Sequence, residues 1–143
     1  KLRVVLGDAA VEILDPQWLG TVDALAVDLY DHEAAAPVLD SAEFYANCRA
    51  LLSDDGCLTV NLFGRSSSYE SSVEKLAEAF GEDALWAFKP TREGNTVVLA
   101  QRTPTHPKRA DLILRAEQIQ ARWDLPATKW MRVFKLVKPE KKA

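Results

Sequence analysis

Ala24-Leu25-Ala26-Val27-Asp28 runs four apolar residues straight into a carboxylate. An uninterrupted apolar run suits a strand covered on both faces, as in a parallel sheet. Working outward, Cys57-Leu58-Thr59-Val60-Asn61-Leu62 reads as a second buried strand, reached through a turn at Ser53-Asp54-Asp55-Gly56. A helix over 41–52 lies between them. It opens at Asp40-Ser41, a capping pair, and sets Phe44, Cys48, Leu51 and Leu52 on one face. Upstream, Leu2-Arg3-Val4-Val5-Leu6 is a short strand-forming run that stops at Gly7-Asp8. One or two helical turns over 9–14 follow and end at Asp15-Pro16, because proline disfavours helix at the residue before it. Downstream, Ser66-Ser67-Ser68 leads a helix through about Phe80, with Val73, Leu76, Ala77 and Phe80 at helical spacing. Two more strands, 85–89 and 96–101, are joined by the turn-rich Pro90-Thr91-Arg92-Glu93-Gly94-Asn95 and predict an antiparallel hairpin. This alternation means an α/β layered sheet with right-handed crossovers.

Composition agrees with a folded domain. The chain has 143 residues, 48% hydrophobic and 27% charged, which excludes disorder and collagen-like repeats. No run approaches the ~18 apolar residues of a membrane span, so a cytoplasmic protein is expected. Lys1 at the start and a lone methionine, Met131, suggest a piece of something longer. Charge is divided unevenly. Residues 1–101 carry 7 Lys and Arg against 17 Asp and Glu, whereas residues 102–143 carry 11 against 4. After Arg102 the texture changes, with Pro104 and Pro107 in a linker, a helix over 108–122 and a break at Pro126. Two domains are therefore expected, an α/β unit over 1–102 and a C-terminal helical basic extension over 103–143.

In open α/β sheets ligands sit beyond the carboxyl ends of the strands. Asp8 and Asp28 follow two strand runs, and Asp31 comes three residues after Asp28. Carboxylates there can accept hydrogen bonds from a ribose hydroxyl, an exocyclic amine or an ammonium group. They can equally cap the helices and turns that follow, and spacing alone weighs the two readings evenly.

These residues resemble a family. Arg3-Val4-Val5-Leu6-Gly7-Asp8-Ala9, Val22-Asp23-Ala24-Leu25-Ala26-Val27-Asp28, Asp31, Pro37, Leu39, Phe44-Tyr45, Leu51-Leu52 and Gly56 fall in the order seen in spermidine synthases. That family of polyamine aminopropyltransferases has the class I methyltransferase Rossmann-like fold. The resemblance covers residues 2–102, the C-terminal part of the family's catalytic domain. It implies that Asp8, with Ala9, meets the adenine of S-adenosylmethionine or its decarboxylated form. It also implies that Asp28 orients or deprotonates the amine acceptor and that Asp31 is a second amine anchor. Attack on a sulfonium carbon needs a neutral amine, so a nearby carboxylate must hold the ammonium and take its proton.

The departures are specific. The family's acid–Ser–Ser–acid–Pro is here Asp28-Leu29-Tyr30-Asp31-His32, and Pro90-Thr91 is followed by Arg92 rather than tyrosine. A cation at Arg92 facing the pocket repels a diamine, which argues against putrescine and leaves a methyltransferase with another acceptor open. None of the six glycines stands in a Gly-x-Gly turn, so the glycine-rich first βα unit is absent. The enzyme reading thus attaches to a longer parent, with weak or no cofactor binding by these residues. The rival reading is a non-catalytic assembly or interaction module on the same fold. Without its two intervening strands, the Ala24–Val27 strand keeps an unpaired apolar edge, which predicts a homo-oligomer unless the Arg3–Leu6 strand covers it.

Other candidates carry less. His32 and His106 are too poorly accompanied for a metal site, and Ser66-Ser67-Ser68 lacks a nucleophile elbow. Cys48 and Cys57 read as two reduced buried thiols. In the tail, Lys129, Arg132, Lys135 and Lys138 alternate with Trp130, Val133, Phe134 and Val137. As a helix this makes a basic face for nucleic acid, anionic lipid or an acidic partner, or an apolar face docked on the acidic body. The second reading is preferred, with no membrane and no nucleic acid as partner.

Overall fold

A computed structural model describes residues 2–29, 39–63 and 66–137, with the side chains of residues 66 and 67 excepted. Its centre is a mixed five-stranded sheet of order β1-β2-β4-β3-β5. Strand β1 (Val22–Val27) pairs parallel with β2 (Leu52–Phe63), and β4 (Asn95–Gln101) runs antiparallel to β2 and to β3 (Leu85–Phe88). Helix α2 (Ala42–Leu51) makes the crossover from β1 to β2, and α3 (Ser66–Phe80) leads from β2 towards β3. The fold is α/β with an open sheet, compatible with a Rossmann-like architecture.

Local chemistry accounts for the elements. Ser41 caps α2 by accepting the Phe44 N–H at 3.1 Å, the expected cap. Helix α2 buries Phe44, Tyr45, Cys48 and Leu51, and α3 buries Val73, Leu76 and Phe80. The two helices meet Leu58, Val60, Leu62, Leu85, Val98 and Ala100 from one side of the sheet and close a single core. Asp40 ties them further. Its carboxylate accepts Tyr45 Oη–H at 2.6 Å and Ser72 Oγ–H at 2.9 Å, and Lys75 Nζ lies 2.6 Å away.

Four expectations are corrected. Leu2-Arg3-Val4-Val5-Leu6 forms no strand: Leu2, Val4 and Leu6 are 89%, 76% and 96% exposed. Strand propensity needs a pairing neighbour, and β1 remains an edge strand among the described residues. The predicted turn Ser53-Asp54-Asp55-Gly56 lies inside β2 as an excursion. Val22 faces Leu52 and Ala24 faces Cys57, so β2 spends five residues where β1 spends two. The apolar run at β1 is not covered on both faces. Leu25 and Val27 pack against the core, whereas Ala24 and Ala26 are exposed on the face away from α2 and α3.

The tail is the fourth. Helix α4 (Arg109–Trp123) matches the expected helix, but the basic end makes a short α5 (Ala127–Trp130) and then β5 (Phe134–Leu136), which pairs antiparallel with β3. Phe134 stacks on Trp86 at 5.2 Å between ring centroids and 17° between planes, and sits 4.9 Å from Phe88. Phe134 and Leu136, at alternate positions of β5, gain more from an open sheet edge than from a free helix. Phe134 and Val137 lie against the body, whereas Trp130 is 38% exposed.

Candidate functional site

Asp28 follows the last residue of β1, at the carboxyl end of the parallel pair. Its partner comes from the neighbouring strand: Asn61 Nδ2–H donates to Asp28 Oδ1 at 3.1 Å. Asn95, the first residue of β4, then donates through Nδ2–H to Asn61 Oδ1 at 3.2 Å. The register explains this meeting. Asn61 faces Val97 and Phe63 faces Asn95, so residues 61 and 95 are diagonal neighbours on one face, the same face as Ala26. The β3–β4 turn fixes Asn95 in turn, because its N–H donates to Thr91 Oγ1 at 3.2 Å and its carbonyl accepts the Thr91 N–H at 2.8 Å. The result is a carboxylate and two side-chain amides in line across three strands.

An amide donor orients a carboxylate without neutralising its charge. The array can therefore present a directed negative oxygen to an ammonium or hydroxyl group. It lies where open α/β sheets bind ligands. Sequence reasoning found Asp28 and missed Asn61 and Asn95. Asn61 carries a legible signal, a polar residue interrupting the apolar run at Cys57–Leu62. For Asn95 the only signal is the turn, which marks many asparagines.

The other acids are placed differently. Asp8 caps α1 (Ala9–Glu12), accepting the Ala10 N–H at 2.9 Å, so its described bond is local. Ala9 is half-buried in that helix and lines a surface hollow of about 350 Å³ with Arg3, Glu12, Asp15 and Trp18. Asp31 and His32 lie outside the described residues. His106 Nε2 is 2.9 Å from the Asp83 carbonyl oxygen.

Both cysteines are free thiols, Cys48 buried and Cys57 half-buried. Desolvation pushes Cys48 up to about 12 and also raises Cys57. A disulfide reagent at neutral pH is thus expected to label Cys57 well before Cys48, as peptide mass mapping reads directly. The unfolded Cys48 thiol ionises first, so its contribution to stability is intact below about pH 9 and lost as pH rises towards 12.

In open α/β sheets ligands sit beyond the carboxyl ends of the strands, the position Asp28 holds in this sheet. The chain resembles the polyamine aminopropyltransferases, the spermidine synthase family. It is 28% identical over 107 residues to the polyamine aminopropyltransferase of Chromobacterium violaceum, covering 74% of this chain and 41% of that protein. It is 26% identical over 140 residues to that of Neisseria meningitidis serogroup A, covering 97% and 52%. With the Vibrio vulnificus protein of that name the figures are 33% over 103 residues, 71% and 34%. The chain spans a third to a half of these relatives' lengths, which fits resemblance to their C-terminal part. No family model matches it. Among the described residues no helix is long and apolar enough to cross a membrane.

Proposed function

We propose that these residues form the acceptor side of a spermidine synthase-like aminopropyltransferase whose donor is decarboxylated S-adenosylmethionine. One observation carries the reading: the Asp28 carboxylate, oriented by Asn61 at 3.1 Å, ends a strand in a chain whose relatives are named for aminopropyl transfer. An acceptor amine arrives as an ammonium ion. Asp28 holds that group by a charge-assisted hydrogen bond and accepts a proton from it, freeing the nitrogen lone pair. The nitrogen forms a bond to the carbon beside the donor's sulfonium, the carbon–sulfur bond breaks, and the pair leaves with sulfur as a neutral thioether. Positioning supplies most of the remaining acceleration. The acceptor differs from putrescine, a reading supported by Leu29, His32 and Arg92 at positions that depart from the family pattern.

Asp8 and Ala9 are the residues that the resemblance sets at the donor's adenine. They do not make a donor site by themselves. One carboxylate oxygen of Asp8 is engaged as a helix cap, the helix has four residues, and no Gly-x-Gly turn accompanies it. Calorimetry on the 143 residues alone is expected to give no micromolar affinity for S-adenosylmethionine, its decarboxylated form or methylthioadenosine. The natural gene product is tested by incubation with decarboxylated S-adenosylmethionine and a panel of amines. Methylthioadenosine and an N-aminopropylated amine, detected together by mass spectrometry, support the reading, and their absence across the panel overturns it. The assembly reading draws support from the edge position of β1 among the described residues and from the exposed Leu2, Val4, Val5 and Leu6, where a second copy would gain by burial.

A further inference from the structure

Tyr69, Lys89, Arg132, Val133, Lys135 and Val137 line a hollow of about 400 Å³ where the β3–β5 edge of the sheet meets α3. Strand register sets its cations. Ala87 faces Lys135, and the Lys89 N–H donates to the Val133 carbonyl at 2.8 Å. Lys89 and Lys135 are therefore diagonal neighbours, on the same face of the sheet as Ala87 and Val137, which pack against the core. Arg132 joins them from the turn before β5. All three cations are exposed, and none makes an ion pair with a described residue. No carboxylate is in the wall. Glu70 and Glu74 are exposed on α3, Glu93 is exposed in the β3–β4 turn, and Asp111, Glu117 and Asp124 belong to α4 and its end. Like charges around one hollow repel, at a cost that a bound anion removes. Tyr69 adds an independent observation. It is half-buried in the wall, and its hydroxyl has no hydrogen-bond partner among the described residues. Desolvation raises its pKa, so the hydroxyl keeps its proton at neutral pH and remains a donor.

We propose that this hollow binds a phosphate monoester with a compact apolar group. The phosphate lies among Lys89, Arg132 and Lys135, and the apolar group lies against Tyr69, Val133 and Val137. A phosphate monoester carries nearly two negative charges at neutral pH, which answers a cluster of cations better than a carboxylate does. The guanidinium fork of Arg132 matches two phosphate oxygens, and the lysines and the Tyr69 hydroxyl can serve the rest. The volume is at the low end for small-molecule sites, which run roughly 300–1,000 Å³, so it suits a compact ligand better than a strand of nucleic acid or a peptide. The site stands or falls without regard to the role of Asp28.

The test is an NMR titration of the full chain, at fixed ionic strength, with phenyl phosphate, inorganic phosphate, benzoate and benzyl alcohol. Phenyl phosphate is expected to shift the Tyr69 ring and the Val133 and Val137 methyls. It should bind about tenfold more tightly than inorganic phosphate or benzoate, and benzyl alcohol should leave those residues unmoved. Arg132→Gln and Lys135→Gln, both at exposed positions where the core is untouched, should each weaken phenyl phosphate about fivefold. Tyr69→Phe, which keeps the ring, should weaken it about threefold. Arg115→Gln, equally exposed on α4, should change nothing. Equal affinities for phenyl phosphate and inorganic phosphate mean an adventitious ion only and overturn the proposal. An equal loss in Arg115→Gln, or Tyr69, Val133 and Val137 unmoved by phenyl phosphate, overturns it as well. Sedimentation with phosphatidylcholine vesicles containing phosphatidic acid separates the soluble source of the phosphate from a lipid one. Absence of vesicle binding, or its displacement by phenyl phosphate, supports the proposal; vesicle binding that phenyl phosphate does not displace overturns it.

Discussion

Asp28→Asn is expected to lower turnover of the natural gene product by about 10²-fold or more, with donor affinity nearly unchanged. The substitution keeps size and the position beyond β1, and its amide oxygen can still accept the Asn61 N–H that now lies at 3.1 Å. On the proposed reading, what disappears is the negative charge that would hold an ammonium and the base that would take its proton. Neither is replaced by Asn61 or Asn95, which are neutral. Steady-state kinetics, with donor binding measured separately, reads the difference. Asp8→Ala should do the reverse, weakening the donor first. Equal and small effects from both would reduce these acids to caps and turn formers, the role already visible for Asp8.

Gly56→Ala is expected to cost about 3 kcal/mol of stability, at the upper end for overpacking a filled site. A Cβ on Gly56 would lie 2.6 Å from the Val22 carbonyl oxygen, 2.9 Å from the Ser53 carbonyl oxygen and 3.0 Å from the Leu52 Cβ. The two oxygens are backbone, so no side-chain rotation relieves the clash. The site is also where β2 makes its excursion beside β1, and where the Gly56 carbonyl accepts the Arg102 N–H at 3.0 Å. Arg102 Nη1–H donates to the Leu52 carbonyl, closing the far side of the same excursion. Displacing Gly56 therefore disturbs β1, β2 and the start of the C-terminal region together. Urea denaturation should show a lower midpoint with an unchanged slope. Gly20→Ala is the control: Gly20 has a φ of +68° and nothing within 4 Å of an added Cβ. Its cost is backbone strain alone, about 1 kcal/mol.

Part of the geometry followed from the order of residues. Apolar runs ending in acids pointed to two strand ends; Asp28 stands at one, whereas Asp8 caps a helix and follows no strand among the described residues. Helical spacing in 41–52 and 66–80 anticipated α2 and α3 and the faces they bury. The turn at 90–95 anticipated the β3–β4 hairpin. Asn61 and Asn95 were not legible as a pair, because 34 positions separate them and only the antiparallel register of β2 against β4 makes them neighbours.

Local sequence determined which segments can be strand or helix, where Ser41 caps, and which acid follows the edge strand. These depend on spacing and on backbone geometry within a few residues. Partners and coverage were decided by the tertiary structure. Leu2–Leu6 has the composition of a strand but pairs with no strand among the described residues, and it stays exposed. Phe134–Leu136 reads as helix by periodicity, yet it becomes strand because β3 offers free backbone groups and Trp86 offers a ring to stack on. Strand pairing is non-local: a segment's hydrogen bonds are completed by residues that its own sequence does not name.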